Sequence, residues 1–520
     1  METLTGAGER VSLGSNITLV APGLKGTARL LAGSGMDVRA AEESSDLLDA
    51  MLARTEMNAI RTVDIRAAEV QPSGARDVRD ARGDGALLLE VPDLGEEVEQ
   101  VVLSVDEAGA MTWHFARDID NSVDGEHDDD ERTSPVNTTR GGDTRQFVIP
   151  RRVATVEPED AATHRALFGA LGRKLLKVIV YPVSDWLLRK PANVIAGHWE
   201  GANRAYGLRR FTPADYRSPT ATAAERDALA LSATEASRLT EGRALLFLHG
   251  TFSTAHGAFH DIPPELMSEL HTRYDGRVFA FNHFSLSHHP LENVKRLLAM
   301  LQDVLPSGTL DVDIVSHSRG GLVARTLAEG QRVFDIDTSR VRVHRAVMAG
   351  VPNQGTKLAQ PDHMTDMIDR LTTGLNAVPP GGVADWVEGL LIAVKIMGHG
   401  ALKALAGLRS MDPDGDFLKA LNRPGGGSRE FLAIAANYEP TDSGLRGLVR
   451  GAGDFVIDRV FGDDENDLVV PERGVYDVNG CDGFPVGENR VLRLPSAAGI
   501  MHTSMFGHPE VASQLRNWLA

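Results

Sequence analysis

The chain has 520 residues and a formal net charge of −18 at pH 7, with 42% hydrophobic and 24% charged residues. This length exceeds the usual size of one hydrophobic core, so we expect two domains or one large domain with insertions. The negative charge opposes binding to nucleic acid or to an anionic membrane, because the field of the molecule repels phosphate groups. No nucleic-acid partner is therefore predicted.

Cys481 is the only cysteine, which excludes an intrachain disulfide and gives no sign of an oxidising compartment. The start METLTGAGERVSLGS has no basic segment followed by an apolar one, so no secretory signal is predicted and the expected location is cytoplasmic. The most apolar segment, residues 387–408, carries Lys395, His399 and Lys403 on one stripe. That pattern is typical of an amphipathic helix and not of a membrane span.

Residues 1–155 are predicted to form a β-rich amino-terminal domain. Strand-like runs separated by glycine, aspartate and proline support this prediction: NITLVAP, GALLLEV, EQVVLSV, AMTWHFA and RQFVIP. Between two of them, VDEAG is typical of a hairpin connection. The acidic residues 118–135 match no known calcium-loop spacing and are predicted to form a solvated loop.

Residues 156–240 are predicted to form a helical connector. Leu167, Leu171, Leu175 and Val178 repeat at helical spacing, with basic residues largely on another side. Such a helix can dock between two domains, which is the commoner use, or make transient contact with a membrane surface. The alanine-rich residues 218–242 then lead into the second half as a helix or linker.

Residues 241–520 are predicted to form an α/β domain. The apolar runs ALLFLHG, RVFAFNH, VDIVSHS, RAVMAGV and FLAIAAN alternate with helix-length segments, which indicates a parallel sheet covered by helices. Functional residues of such sheets lie at the carboxyl ends of the strands.

A mostly helical stretch at about residues 356–424 interrupts this pattern and is predicted to form a cap. Its apolar residues either cover a hydrophobic substrate or form a packed surface without substrate contact. They are Met364, Met367, Ile368, Leu371, Trp386, Leu390, Leu391, Val394 and Met397.

The stretch VDIVSHSRGGLVAR, residues 312–325, is typical of a strand that turns sharply into a helix around a serine, a turn that normally has the sequence G-x-S-x-G. Ser318 is at the tip of the turn. Gly320 and Gly321 have no side chains, so the helix can approach the strand closely on that side. Ser316 replaces the first glycine, at a position that requires a small residue. Ser316 is not the expected nucleophile, because Ile314 would then be too large for the close-packed flank.

Together with LFLHGTFS and GVPNQGT, this turn resembles the α/β-hydrolase superfamily, and the lipase and esterase branches in particular. The resemblance covers about residues 243–520. It implies an α/β-hydrolase fold with a helical cap, and hydrolysis of a small-molecule or lipid-like carboxylic ester through an acyl-enzyme on a serine, aspartate and histidine triad. No cofactor is predicted.

The chain order of the superfamily is serine, acid, histidine, so the histidine is expected near the carboxyl end. His502 precedes a terminal helix and resembles the histidine of the family's last-strand loop, which makes it the expected general base. His508 is the rival, although the following Pro509 makes it typical of a helix start.

The expected acid is Asp467, because NDLVVP resembles the N-D-G-V-V-P segment that supplies the lipase aspartate. The chain departs from that segment at Leu468, which replaces the glycine. Asp442, which is nearer to the preceding strand-like run, and Asp464, in the same acidic loop, are the alternatives.

A tetrahedral intermediate requires backbone N–H donors for its oxyanion. Arg319, the residue after the nucleophile, is expected to supply one donor, and Thr251 or Phe252 in the loop HGTFSTAHG the other. His249 and Gly250 shape this loop, and His249 is expected to be structural.

The segment NHFSLSHHP contains His283, His288 and His289, whose spacing matches no common zinc motif, so no metal site is predicted. A triad could equally serve amidase, peptidase or acyltransferase chemistry, since it determines the mechanism and not the leaving group. The competing hypothesis is a catalytically silent fold whose amino-terminal domain binds an unknown protein partner.

Overall fold

The computed structural model of the chain describes residues 1–31, 52–70, 86–95, 97–106, 111–116, 144–149, 173–182, 191–305, 308–360, 363–374, 384–398, 405–423, 430–438 and 465–519. These residues form two large β-sheets, a two-stranded hairpin and the helices packed against them. The predicted loop at residues 118–135 lies outside the described ranges.

The amino-terminal sheet is antiparallel and has eight strands in the order β6-β5-β8-β3-β2-β4-β7, with β1 paired to β2. Its terminal strands β6 and β7 also contact each other, so the sheet is nearly closed into a barrel. The strands are β1 (Glu2–Gly14), β2 (Ile17–Leu31), β3 (Asn58–Val70), β4 (Leu87–Pro92), β5 (Val98–Asp106), β6 (Met111–Phe115), β7 (Thr144–Ile149) and β8 (Arg173–Pro182).

Alternation of apolar residues explains the interior of this sheet. In β4, Leu87, Leu89 and Val91 are buried in one apolar cluster, whereas Glu90 is held outside it by Arg10 and Gln146. Successive side chains of a strand point to opposite faces, so one face of β4 fills the interior. The five strand-like runs of the sequence lie in β2, β4, β5, β6 and β7, and β5 and β6 form a hairpin.

The predicted helix at Leu175 and Val178 is wrong, because Arg173–Pro182 is strand β8. It pairs with β3 on one side and with β5 on the other, and so lies within the amino-terminal sheet. The run LLKVIVY is rich in β-branched and aromatic residues, and burial between two neighbouring strands outweighs helical spacing for such residues. The connector does contain helices further on: α1 (Ala192–Asn203), α2 (Ala223–Leu229) and α3 (Ala233–Arg238).

The second sheet has seven strands in the order β17-β14-β13-β12-β10-β11-β9, and every neighbouring pair is parallel except β9 with β11. The five apolar runs of the sequence lie in β10 to β14. Antiparallel pairings are still the majority when both sheets are considered. The strands are β9 (Gly207–Arg210), β10 (Ala244–Leu248), β11 (Val278–Asn282), β12 (Leu310–His317), β13 (Val341–Ala349), β14 (Glu430–Ala436) and β17 (Val491–Leu494), and β15 (Asp477–Val478) with β16 (Cys481–Pro485) forms the hairpin.

Helices cover both faces of the parallel sheet. In β10, Leu246 and Leu248 contribute to one core and Leu245 and Phe247 to the other. A strand that is buried on both faces is a continuous apolar run, as β10 is. The surrounding helices are α4 (Ala255–Ala258), α5 (Pro264–Arg273), α6 (Pro290–Val304), α7 (Gly320–Phe334) and, at the carboxyl end, α12 (Pro509–Trp518).

The predicted cap consists of α8 (Met364–Gly374), α9 (Ala384–Gly398), α10 (Ala406–Arg409) and α11 (Asp416–Leu421). All the apolar cap residues named from the sequence are buried except Trp386, which packs against the same core. That core is shared with Trp113 and Tyr181 of the amino-terminal sheet. The apolar residues of the cap are therefore packed in a core that also includes residues of the amino-terminal sheet.

Hydrogen bonds join the cap to the amino-terminal sheet. The backbone N–H of Trp113 donates to Asp369 at 2.7 Å, and its indole N–H donates to Thr372 at 3.0 Å. The hydroxyl of Tyr181 donates to the carbonyl of Lys395 at 3.0 Å. None of the helices in the described ranges has the length and apolar character needed to cross a bilayer.

Candidate active site

Ser318 lies at a sharp turn between β12 and α7. Its φ is 53°, a left-handed conformation that is uncommon for a residue other than glycine. The turn is held by the N–H of Ser318, which donates to the carbonyl of Ala349 at the end of the neighbouring strand β13, at 2.8 Å. A strained serine at the carboxyl end of a central parallel strand is the local geometry of a nucleophile turn.

Close packing around the turn explains the small residues in SHSRGG. A Cβ on Gly320 would lie 2.3 Å from the carbonyl oxygen of Leu248, and one on Gly321 would lie 2.1 Å from a methyl group of Val351. Ser316 occupies the remaining small position, and its hydroxyl donates to the carbonyl of Val347 at 2.8 Å. The serine that replaces the first glycine is therefore fully buried with a satisfied hydroxyl.

Asp467 and His502 form a buried pair at the same end of the sheet. His502 Nδ1 lies 2.7 Å from Asp467 Oδ2, and the N–H of His502 donates to the carbonyl of Asp467 at 3.1 Å. The other carboxylate oxygen, Oδ1, accepts from the N–H groups of Val469 at 3.0 Å and Val470 at 2.8 Å. An imidazole that donates from Nδ1 to a carboxylate keeps Nε2 available to accept a proton.

Two contacts place His502 close to the serine turn. Gly350 directly follows Ala349, whose carbonyl accepts the hydrogen bond from Ser318. Its φ is positive, at 57°, and a Cβ built on it would lie 3.1 Å from Nδ1 of His502. His317, the residue before Ser318, lies 2.8 Å through its Nε2 from the carbonyl oxygen of His502, to which it donates. The structure thus brings together the regions of Ser318, Asp467 and His502.

The rival residues have other surroundings or lie outside the described residues. Nδ1 of His508 accepts from the N–H of Glu510 at 3.3 Å and caps α12, as expected for a helix start. Asp442 and Asp464 both lie outside the described residues.

The loop after β10 approaches the serine from the opposite side. A Cβ on Gly250 would lie 2.7 Å from the Cβ of Ser318, so only glycine fits there. Phe252 has a φ of 61°, and its carbonyl accepts a hydrogen bond from Arg204 at 2.6 Å. The loop that contains Thr251 and Phe252 therefore lies beside Ser318 with a fixed backbone, as an oxyanion site requires.

His249 orients this loop as a neutral ring. Its Nδ1 donates to the carbonyl of Gly250 at 2.9 Å, and its Nε2 accepts from the N–H of His283 at 3.1 Å. Burial lowers the pKa of His249 to about 3, which agrees with a ring that acts once as a donor and once as an acceptor. The expectation of a structural histidine fits these contacts.

The side chain of Arg319 is held by residues of the cap and of the segment around the start of α6. Its Nε donates to the carbonyl of Gly407 at 2.9 Å, and its Nη2 donates to the side-chain oxygen of Asn293 at 3.0 Å and to the carbonyl of His288. The guanidinium is fully buried, and this burial lowers the pKa of Arg319 to about 10. The residue after the serine is thus anchored to the cap and to the loop that precedes α6.

His317 lies beside the site and was not predicted from the sequence. Burial, and to a smaller extent the electrostatic interaction with the neighbouring His502 ring, lowers the pKa of His317 to about 3. Its ring centroid lies 4.9 Å from that of His502. The only signal in the sequence was its position beside Ser318, because the contact to His502 joins residues 185 positions apart.

The histidines of NHFSLSHHP have structural partners. His283 stacks on His249 with ring centroids 4.0 Å apart, Nδ1 of His288 lies 2.8 Å from the hydroxyl of Tyr206, and His289 caps α6. In the part of the chain that the structure describes, no group of three or more histidine, cysteine, aspartate or glutamate side chains could hold a metal ion.

Several solved structures are similar to the chain at low identity. Lipase 1 from Pelosinus fermentans is 13% identical, with 52% of this chain and 94% of that chain covered and a TM-score of 0.34. Phospholipase PlaB from Legionella pneumophila is 14% identical, with 45% of each chain covered and a TM-score of 0.30. Aspergillus fumigatus lipase B is 14% identical, with 52% and 51% covered and a TM-score of 0.28. Likeness at this level does not carry an activity from one protein to another.

The chain spans less than half of the Legionella phospholipase. A comparison with curated proteins found no match. A family model described as a domain of unknown function, DUF7379, matches residues 203–520, which include the parallel sheet, the cap and the serine turn. Since this is more than half of the chain, the protein belongs to the DUF7379 family.

Proposed function

We propose that the protein is a serine hydrolase of the α/β-hydrolase fold that cleaves a carboxylic ester. The observation that carries the proposal is the buried pair of Asp467 and His502, located beside a strained serine at the carboxyl end of a central parallel strand. A serine hydroxyl is a poor nucleophile until a base removes its proton, and such a pair supplies the base.

In the proposed reaction the hydroxyl oxygen of Ser318 attacks the ester carbonyl while Nε2 of His502 takes the hydroxyl proton. The carbonyl oxygen becomes an oxyanion that accepts hydrogen bonds from the N–H of Arg319 and from that of Thr251 or Phe252. His502 then gives the proton to the departing alcohol, which leaves an acyl group on Ser318. Water repeats the same steps, releases the carboxylic acid and restores the serine.

Asp467 has the role of orienting His502. Its Oδ1 is occupied by two backbone N–H groups, so its Oδ2 faces the imidazole in one fixed direction. An orienting carboxylate keeps the imidazole in the tautomer that accepts the serine proton and stabilises the positive ring that results.

Reaction with a fluorophosphonate probe tests this assignment. We expect labelling of the intact protein at Ser318, mapped by peptide mass spectrometry, and no labelling of a Ser318→Ala variant. Ser316→Ala is a matched control, because that hydroxyl bonds to Val347, and the variant should still be labelled. Labelling that survives Ser318→Ala would contradict the nucleophile, and an unlabelled intact protein would favour a catalytically silent binding module.

The substrate class within this proposal is a small-molecule or lipid-like ester. A series of p-nitrophenyl esters of increasing acyl length tests it. If a hydrophobic acyl group is bound, the hydrolysis rate per mole of protein should rise with acyl length. Preference for the acetate ester alone would contradict a lipid-like substrate and leave the small-molecule ester.

A further inference from the structure

We propose that helix α1, which precedes the parallel sheet, is a brace that positions both sides of the serine site through Glu200 and Arg204. The inference rests on the proposed function and adds two positioning residues to it. Glu200 lies before the family-matched residues 203–520 and Arg204 lies just inside them.

Glu200 is a buried carboxylate on α1 that receives hydrogen bonds at both oxygens. Its Oε1 accepts from the N–H groups of Ser285 at 2.5 Å and Leu286 at 2.9 Å. Its Oε2 accepts from the N–H of Ser287 at 3.0 Å and from the Ser287 hydroxyl at 2.5 Å. Three successive backbone donors directed at one side chain fix the conformation of the loop between β11 and α6.

This loop in turn holds Arg319, the residue after the proposed nucleophile. Nη2 of Arg319 donates to the carbonyl of His288, one residue beyond residues 285–287, and to the side chain of Asn293 in α6. The negative charge of Glu200 also opposes the effect of burial on the pKa of Arg319. A chain of contacts therefore runs from Glu200 through the loop to the turn that carries Ser318.

Arg204, directly after α1, holds the other side of the site. Its Nη1 donates to the carbonyl of Phe252 at 2.6 Å, and this carbonyl belongs to the residue with positive φ in the loop beside Ser318. Helix α9 packs over the contact, since a Cβ on Gly389 would lie 2.8 Å from Nη1 of Arg204 and 2.9 Å from the Phe252 oxygen. A hydrogen bond from a charged guanidinium is stronger than one between neutral groups. Breaking it in a buried position is costly, because it leaves a buried charge without a partner.

Hydrogen exchange followed by mass spectrometry tests the brace on the full chain. In Glu200→Gln an amide NH2 replaces one of the two oxygens that accept backbone N–H groups, so we expect faster exchange in residues 285–287 and also in the turn at residues 318–321. In Arg204→Gln we expect faster exchange in residues 251–254. Glu90→Gln is the matched control, because Glu90 is a buried, ion-paired carboxylate of the amino-terminal sheet and should leave all three segments unchanged.

The rate of fluorophosphonate labelling at Ser318, normalised to the folded fraction, is the second measurement. We expect Glu200→Gln and Arg204→Gln to lower it between about 10-fold and 100-fold, the loss that a displacement of about 1 Å causes. Arg204→Lys keeps a donor for Phe252 and should recover part of the rate. A purely structural role would lower the folded fraction and leave the normalised rate unchanged.

Faster exchange in residues 285–287 without any change at residues 318–321 would overturn the brace, as would unchanged labelling in folded Glu200→Gln. If that variant does not fold, Ser287→Ala removes one of the four hydrogen bonds and should give smaller changes in the same direction. Unchanged exchange at residues 318–321 in folded Ser287→Ala would also overturn it. An unlabelled wild-type protein would refute the proposed hydrolase, while the exchange measurements would still decide the brace.

Discussion

Asp467 uses its two carboxylate oxygens for two different purposes. Oδ1 accepts from two backbone N–H groups of its own loop, and Oδ2 faces His502. Leu468, the residue directly after Asp467, adopts a φ of 85°, a left-handed conformation that glycine adopts more readily. The carboxylate that faces His502 is thus fixed by the loop in which it occurs.

If Asp467 orients the base as proposed, its substitution by asparagine lowers kcat by roughly 10⁴-fold, the loss that the same substitution causes in a well-characterised serine, histidine and aspartate triad. The amide would direct N–H either at Nδ1 of His502 or at the two backbone N–H groups, and each arrangement favours the wrong imidazole tautomer. The measurement is steady-state hydrolysis of a p-nitrophenyl ester. Asp369→Asn, a buried aspartate that binds Trp113, is the matched control. A loss of kcat smaller than about tenfold would mean that Asp467 is not the acid that orients the base.

Buried neutral histidines make the stability depend on pH. The pKa values of His249 and His317 are both lowered to about 3 by burial. In the unfolded chain a histidine has a pKa of about 6.5, so the unfolded state binds more protons between pH 6.5 and pH 3. The free energy of unfolding should therefore fall as the pH is lowered through this range.

Each such histidine contributes a slope of up to about 1.4 kcal/mol per pH unit. In His317→Gln the amide nitrogen can still donate to the carbonyl of His502, but one titrating group is gone. We expect urea unfolding of this variant to show a flatter dependence on pH between 6.5 and 4. A slope equal to that of the wild-type protein would contradict the neutral, buried state of His317.

Candidate residues of the site could be proposed from the sequence where a short segment carried the information. Ser318, Asp467 and His502 could be proposed because SHSRGG, NDLVVP and the segment around His502 each resemble a family segment. His317 and Glu200 could not, since their roles depend on contacts with His502 and with residues 285–287, far away in the chain.

At the level of elements, the junction of β12 with α7 depends on close packing. A Cβ on Gly321 would lie 2.1 Å from one methyl group of Val351 and 2.6 Å from the other. We expect Gly321→Ala to lower the free energy of unfolding by roughly 1–3 kcal/mol through overpacking. Urea denaturation measures the change, and Val351→Ala in the same chain should recover part of it by removing the opposing methyl groups. Failure of this second substitution to help would contradict the steric cause.

Strand β8 shows where pattern alone is insufficient for an element. Its residues have both a helical repeat and a high content of β-branched side chains, and the sequence does not reveal which neighbours are present. The outcome is decided by β3 and β5, which provide hydrogen-bond partners on both sides. The parallel strands β10 to β14 were easier to predict because burial on both faces makes each a continuous apolar run.

At the scale of the whole molecule, one core extends from the amino-terminal sheet through the cap to the parallel sheet. Trp113 from β6, Leu390 from α9 and Leu246 from β10 belong to the same buried cluster. The sequence indicated two regions of different character, but the contacts between them join residues more than 200 positions apart. Local patterns contain no information about contacts between such distant residues, so the interface between the two regions could not be predicted from the sequence.

The attachment of the cap has a kinetic consequence for the proposed hydrolysis of lipid-like esters. A lid that swings open at an oil–water surface would have to separate α8 from Trp113 and α9 from Tyr181, which breaks three hydrogen bonds and exposes apolar surface. We therefore expect the hydrolysis rate to follow a smooth saturation curve as a short-chain ester passes its critical micelle concentration. A sudden rise at that concentration would mean that α8 and α9 leave the amino-terminal sheet during turnover.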